Sequence, residues 1–260
     1  MQKKQLVFMI IMAVFLAMGG VTGAAGEDGW LTTKEGAKVW LLGINSEDSA
    51  QWSGGRDAEN YANGPGVLQR FNKGHLSITT EGTMKKGKFE GFGKSRTADG
   101  TTYEGGFVGG LRSGKGTMKW PNGRVYEGDW ANNIFNGKGF MKIPDGRTYE
   151  GDYVNGAQQG KGIMKFPNGT SHEGDWVKGV PNGKGIFKDK NGKVVYEGDF
   201  LNGDRTGKGI QHFPDGARYE GDHLKGEFHG NGTLYGPDGK IIMQGKWQHN
   251  KFVSGSVEAE

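Results

Sequence analysis

The sequence predicts an all-β protein: an elongated, single-layer, twisted antiparallel sheet of stacked β-hairpins. Three observations predict it. A five-residue motif recurs every 23 or 24 residues. Within each recurrence, apolar and charged residues alternate with period two, as on a strand with two unlike faces. Glycine supplies 51 of the 260 residues, far above the usual ~7%, and it falls at fixed places in the period.

The elements follow in chain order. Lys3 and Lys4 precede an unbroken apolar run, Leu6 to Met18, and Gly23-Ala24-Ala25 supply small residues for cleavage. Residues 1–25 are therefore expected to be a signal peptide cleaved near Ala25, with the mature protein periplasmic or secreted. The run is too short for a membrane span, which needs about 20 residues. With no cysteine, an exported chain forms no disulfides and has no thiol nucleophile or Cys-based zinc site. The net charge of +4 is too small for a nucleic-acid binder.

Residues 26–79 are expected to form an N-terminal β cap with a degenerate repeat. "AKVWLLGI" (Ala37 to Ile44) reads as a strand, and "WSGGR" at Trp52 leads to "NGPG", Asn63 to Gly66, as a weak further copy. Residues 80–252 hold the regular period. "YEGGF" begins at Tyr103, "YEGDW" at Tyr126, "YEGDY" at Tyr149, "HEGDW" at His172, "YEGDF" at Tyr196 and "YEGDH" at Tyr219. Weaker copies begin at Thr80 and Met243. Each motif leads through a short loop to G-K-G, then to an apolar stretch ending in P-[ND]-G.

In one unit Tyr149, Gly151 and Tyr153 alternate with Glu150 and Asp152, which predicts a strand. Gly160, Gly162, Met164 and Phe166 alternate with Lys161, Ile163 and Lys165, which predicts a second. "PNG", Pro167 to Gly169, predicts a three-residue hairpin loop with the glycine left-handed. Such short connections leave only antiparallel neighbours. Residues 253–260 read as a tail.

This pattern resembles the MORN (membrane occupation and recognition nexus) repeat family, and the likeness covers Thr80 to about Phe252. The resemblance implies a binding or scaffolding role; with the expected signal peptide the chain is read as an exported, bacterial-type member, with no enzyme activity and no cofactor expected. The partner implied is a protein or a second copy of the chain, with a membrane surface as the alternative.

Four residue groups invite a chemical reading. Glu127 and Asp129 share a strand face, as acid–base pairs do. The same pair returns as Glu150/Asp152, Glu173/Asp175, Glu197/Asp199 and Glu220/Asp222, and five equal pairs on a sheet argue for structure rather than an asymmetric catalytic centre. Lys115, Lys138, Lys161, Lys184 and Lys208 form a basic row. It either holds anionic headgroups or polymers, or pairs with carboxylates across strands, Glu–Lys pairs being the simpler arrangement. His212, His223 and His229 lie in one region but lack metal-ligand spacing, so no metal is expected. Phe107, Trp130, Tyr153, Trp176 and Phe200 form an aromatic row, expected to be exposed. It is either a contact surface or a ladder packed on Gly105, Gly128, Gly151, Gly174, Gly198 and Gly221.

"GGLRSGKG", Gly109 to Gly116, imitates a phosphate-binding loop. It returns as "NNIFNGKG", "NGAQQGKG", "KGVPNGKG" and "NGDRTGKG", never with the terminal Ser or Thr. It is read as the hairpin loop of the repeat.

Overall fold

A computed structural model describes residues 27–257, and every regular element in it is a strand. The signal peptide expected over residues 1–25 lies outside the described residues. The chain divides into two compact units. The N-terminal unit runs to Ala157 and includes Met164–Pro167; the C-terminal unit holds Gln158–Ile163 and everything from Asn168 onward.

The N-terminal unit begins with β1 (Glu27–Thr32), β2 (Lys38–Ile44), β3 (Asp48–Trp52), β4 (Gly55–Arg56) and β5 (Ala62–Asn72). Hairpins follow: β6 (His75–Lys85) with β7 (Lys88–Thr97), β8 (Thr102–Val108) with β9 (Leu111–Lys119), and β10 (Val125–Ala131) with β11 (Ile134–Lys142), then β12 (Thr148–Val154). Strand β13 (Ala157–Lys165) has residues in both units. The C-terminal unit contains β14 (Ser171–Val177), β15 (Val180–Lys188), β16 (Val194–Leu201) and β17 (Asp204–His212). It ends with β18 (Arg218–Leu224), β19 (Glu227–Tyr235), β20 (Ile241–Gln248) and β21 (Lys251–Val257). Residues 253–257, expected as a tail, are therefore strand: Gly245 pairs with Gly255 and Met243 with Val257.

Pairing is antiparallel, and neighbours in sequence are neighbours in the sheet. The hairpin β1–β2 stands apart as its own sheet. It is tied down by backbone bonds from Lys34 N–H to Ala50 O (3.1 Å) and Trp40 N–H to Gly87 O (2.9 Å).

Two turn types alternate. The tight one has both central residues left-handed, as at Asn202 (φ 51°) and Gly203 (φ 90°), the type I′ geometry that matches strand twist. "GGLRSGKG" enters through this turn at Gly109-Gly110 and continues as β9, not as a helix. The wider turn is the P-N-G loop: Trp120 N–H bonds Arg124 O and Gly123 N–H bonds Trp120 O, both at 3.0 Å, with Gly123 at φ 84°.

Each unit carries an unbroken row of paired glycines across its strands. In the N-terminal unit Gly82, Gly93, Gly105, Gly116, Gly128, Gly139 and Gly151 pair in succession. In the C-terminal unit Gly174, Gly185, Gly198, Gly209, Gly221, Gly232, Gly245 and Gly255 do the same. The buried aromatics of each unit lie over this row.

Candidate functional site

The recurring motif is a construction device, and four of its five positions have separate structural roles. Tyr126 lays its ring across the glycine row: a Cβ on Gly139 would sit 2.6 Å from ring atom Cε2. Its hydroxyl donates to the carbonyl of Asp129 at 2.8 Å. Tyr103, Tyr196 and Tyr219 make the matching bond to the residue three positions on, at 2.8, 3.0 and 3.1 Å. A bulge follows the motif glycine, and the bulged carbonyl receives the hydroxyl. Burial pushes Tyr103, Tyr196 and Tyr219 up to about 12.

The fifth position reaches back to the preceding hairpin. Trp130 Nε1 donates to Gly116 O, Trp176 Nε1 to Gly162 O and Trp247 Nε1 to Gly232 O, each at 3.0 Å. The second glycine of G-x-G therefore serves two rings. At Gly185 an added Cβ would strike both His172 of its own hairpin and Phe200 of the next, at 2.6 and 3.0 Å.

This corrects two expectations. The seat of the aromatics is the G-x-G glycine. The motif glycine faces the tip of the tyrosine instead: a Cβ on Gly128 would meet the Cα of Gly139 at 2.5 Å and the Tyr126 hydroxyl at 2.8 Å. The row Phe107, Trp130, Tyr153, Trp176 and Phe200 is also not an exposed surface, since no member exceeds 8% exposure. Strand alternation put these residues on one face correctly, but that face is the core.

The second position after the tight turn covers the tyrosines, and its residue type varies between repeats. Phe135 stacks on Tyr126 and Phe228 on Tyr219, both with centroids 3.8 Å apart. Arg112 and Arg205 instead lay a guanidinium over Tyr103 (5.7 Å) and Tyr196 (5.3 Å).

The basic row is paired throughout. Lys115, Lys138, Lys161, Lys184 and Lys208 meet Asp129, Asp152, Asp175, Asp199 and Asp222 at 2.8, 2.6, 2.6, 2.6 and 2.7 Å. The partners of this row are aspartates, not the glutamates expected; cross-strand Lys–Glu pairs form elsewhere, at Lys94–Glu104 (3.0 Å) and Lys188–Glu173 (3.1 Å). Each Lys faces the Asp of the next repeat directly, whereas the Glu row faces Thr117, Phe140, Ile186 and Ile210. The second oxygen of Asp129, Asp175 and Asp199 accepts the backbone N–H of Lys138, Lys184 and Lys208. Desolvation raises the Asp129 carboxyl, but Lys115 and the Lys138 amide outweigh it and hold the group below its ordinary value. Where Gly106 replaces the aspartate, Phe92 replaces the facing lysine and stands 62% exposed.

The histidines are separate cases. His172 fills a tyrosine position, is buried, and has no hydrogen-bond partner for either ring nitrogen. His223 fills an aromatic position, with Nδ1 3.2 Å from Gly221 O. Burial lowers both to about 4. His212 lies by Glu197 at 3.5 Å, and His229 faces His249. No group of three metal-ligating side chains forms among the described residues.

The face opposite the aromatics carries the open surface. In the C-terminal unit it forms a groove of about 860 Å³ whose floor is the backbone of Gly185, Gly198, Gly209, Gly221 and Gly232. The bulges beside these glycines bend the strands. Lys184 and Lys208 border one side; Ile186, Glu197, Ile210 and Glu220 alternate along the other.

Comparison with known proteins agrees with the repeat register. A family model described as "MORN repeat" matches residues 81–102, 103–123, 126–146, 149–171, 172–194, 196–218 and 219–241. No curated protein matches significantly. Among solved structures, a mutant of the TCP10 domain of Danio rerio CPAP aligns with 84% of this chain and 99% of its own, at 13% identity and TM-score 0.38. The SAS-4 (dCPAP) TCP domain of Drosophila melanogaster, in complex with a proline-rich motif of Ana2, aligns with 66% of this chain and 90% of its own. That alignment has 17% identity and TM-score 0.34. Both scores are too low to define a shared fold.

Proposed function

This chain belongs to the MORN repeat family, and from that premise we propose that it is a non-enzymatic binding module for a partner protein. The observation that carries the reading is the groove in the C-terminal unit. It is long, shallow and floored by backbone, and its wall alternates Ile186, Glu197, Ile210 and Glu220. An extended segment with alternating apolar and basic side chains complements that wall. The five carboxylate pairs repeat alike along the sheet, and their aspartates are occupied in structural bonds. That supports binding over catalysis.

Lipid or polymer binding through the lysine row is the weaker reading. Every lysine of the row has an aspartate within 2.8 Å, which offsets the charge an anionic surface would seek. We place the module in the cell envelope on the support of Lys3, Lys4, the apolar run Leu6–Met18 and Gly23–Ala25.

The test is affinity capture from native envelope with the mature chain and an Ile186→Arg/Ile210→Arg variant as baits. One stoichiometric protein held by the first and lost by the second, at equal melting temperature, supports the reading. Equal recovery by both baits moves the site elsewhere. Recovery of lipid alone, abolished by high salt, restores the lipid reading.

A further inference from the structure

The N-terminal unit holds a second concavity that the repeat architecture does not require. A cleft of about 440 Å³ lies between the β1–β2 turn and strands β3 and β5. Its volume is within the range of small-molecule sites, roughly 300–1,000 Å³. Glu35, Gln51, Arg56 and Gln69 bring polar side chains to its lining.

These groups have unused bonding capacity. The Arg56 guanidinium lies against Gly36, where an added Cβ would meet Nη1 at 2.8 Å. It makes no ion pair among the described residues, although Glu35 is the next residue along. Glu35 is fixed instead by accepting the Trp52 N–H at 2.9 Å, which leads the causes that hold its carboxyl below the ordinary value. Gln51 and Gln69 face each other across β3 and β5, and neither side-chain amide bonds to another described group. Trp52 is not available for stacking. Its ring is buried against Gly54 and Gly66, where added Cβ atoms would lie 2.4 and 2.6 Å away.

One cation, one anion and two neutral amides in one cleft fit a particular ligand chemistry. A dianion such as phosphate would meet the Glu35 carboxylate, offset only by Lys34, which acts on Glu35 from outside the cleft lining. A neutral apolar ligand would use neither charged group. A zwitterion satisfies every group: a carboxylate receives the planar fork of Arg56, an ammonium meets Glu35, and the two amides serve as donors or acceptors to either. We infer that the cleft of Glu35, Gln51, Arg56 and Gln69 is a binding site for a small zwitterion of amino-acid or dipeptide size.

The test is an NMR titration of the mature chain with L-alanyl-L-alanine, read at the side-chain amide resonances of Gln51 and Gln69. The C-terminal amide of the same dipeptide is titrated in parallel, which probes the carboxylate on the unmodified protein. Both pairs of glutamine resonances should shift with the dipeptide, and the amide should bind about tenfold more weakly. In Arg56→Gln, with an unchanged melting temperature, that preference should vanish. Silent glutamine resonances at about 20 mM dipeptide, equal binding of the two peptides, or full preference retained in Arg56→Gln would each overturn the assignment.

Discussion

The indole Nε1 of Trp130 donates to the carbonyl of Gly116, 3.0 Å away and 14 residues earlier in the chain. Wherever this position is tryptophan, at Trp130, Trp176 and Trp247, the hairpin is thus fastened to its predecessor by a side chain as well as by the backbone ladder. The same glycine supports Tyr103 of its own repeat, whose hydroxyl and ring carbons would lie 2.5–2.7 Å from an added Cβ. Stability should therefore concentrate at these shared seats.

Gly139→Ala tests this directly. The new methyl would lie 2.6 Å from Tyr126 Oη and Cε2, and overpacking of this kind costs about 1–3 kcal/mol. Lys142→Ala, on the exposed face, should change stability by less than about 0.5 kcal/mol. Urea denaturation of both variants reads the contrast, and an unshifted midpoint for Gly139→Ala would remove the seat from the account.

Tyr126→Phe removes only the hydroxyl bonded to Asp129 O. The expected loss is about 1 kcal/mol. The tyrosines also set an alkaline limit. Tyr103, Tyr196 and Tyr219 are raised from 10.0 to about 12. A raised folded value gives stability that is complete below pH 10 and is lost as pH climbs through about 12. Circular dichroism melts across that interval should show the decline.

The C-terminal unit carries an acid limit in two histidines. His172 and His223 are lowered from 6.5 to about 4, chiefly by burial. The unfolded chain then binds protons that the folded chain refuses. Stability should fall as pH drops from 6.5 towards 4, by roughly 3 kcal/mol for each fully buried histidine. Glu173 opposes the shift at His172; Arg205 reinforces it at His223, where Asp222 opposes it. His172→Tyr restores the missing hydroxyl and should stabilise the chain at pH 7 by about 1 kcal/mol, with a larger gain at pH 4.5. Equal gains at both values would contradict the burial argument.

The Lys–Asp ladder should respond unequally to removal of its two sides. The Lys115 side chain is 76% exposed, so Lys115→Ala should change stability by less than about 1 kcal/mol. Asp129 also holds the Lys138 amide at 2.9 Å, so Asp129→Ala should lose more, about 1–2 kcal/mol. Paired thermal melts measure the asymmetry, and equal losses would reduce the aspartate to a surface charge.

The period, the strand alternation and both turns were legible in the sequence because each is a local pattern. Asn202-Gly203 and Pro121-Asn122-Gly123 announce their turns by backbone preference alone. Which face is buried was not legible. Period two separates Tyr153 from Asp152 without saying whether a sheet of this kind shields its aromatics. The bends at the bulges and the covering residues Arg112, Phe135, Arg205 and Phe228 provide that shield. The aspartate partners were hidden for a related reason: Glu150 and Asp152 both lie on the Lys138 side, and only the observed register, with Lys138 facing Asp152 and Phe140 facing Glu150, chooses between them. The polar cleft at Arg56 was not legible, since its polar members come from a turn and three separate strands.

The double use of Gly185, by His172 behind it and Phe200 ahead of it, has a kinetic meaning. A hairpin that opens withdraws its ring from the neighbour's seat and leaves that neighbour half packed. Loss of order in the C-terminal unit should then pass from strand to strand like a zip. Fraying at β21 is the cheapest first step, because no later ring is seated on Gly255 among the described residues. Contacts confined to adjacent repeats make such a chain behave as a one-dimensional lattice, in which the lifetime of an interior hairpin is set by its distance from the nearest loose end.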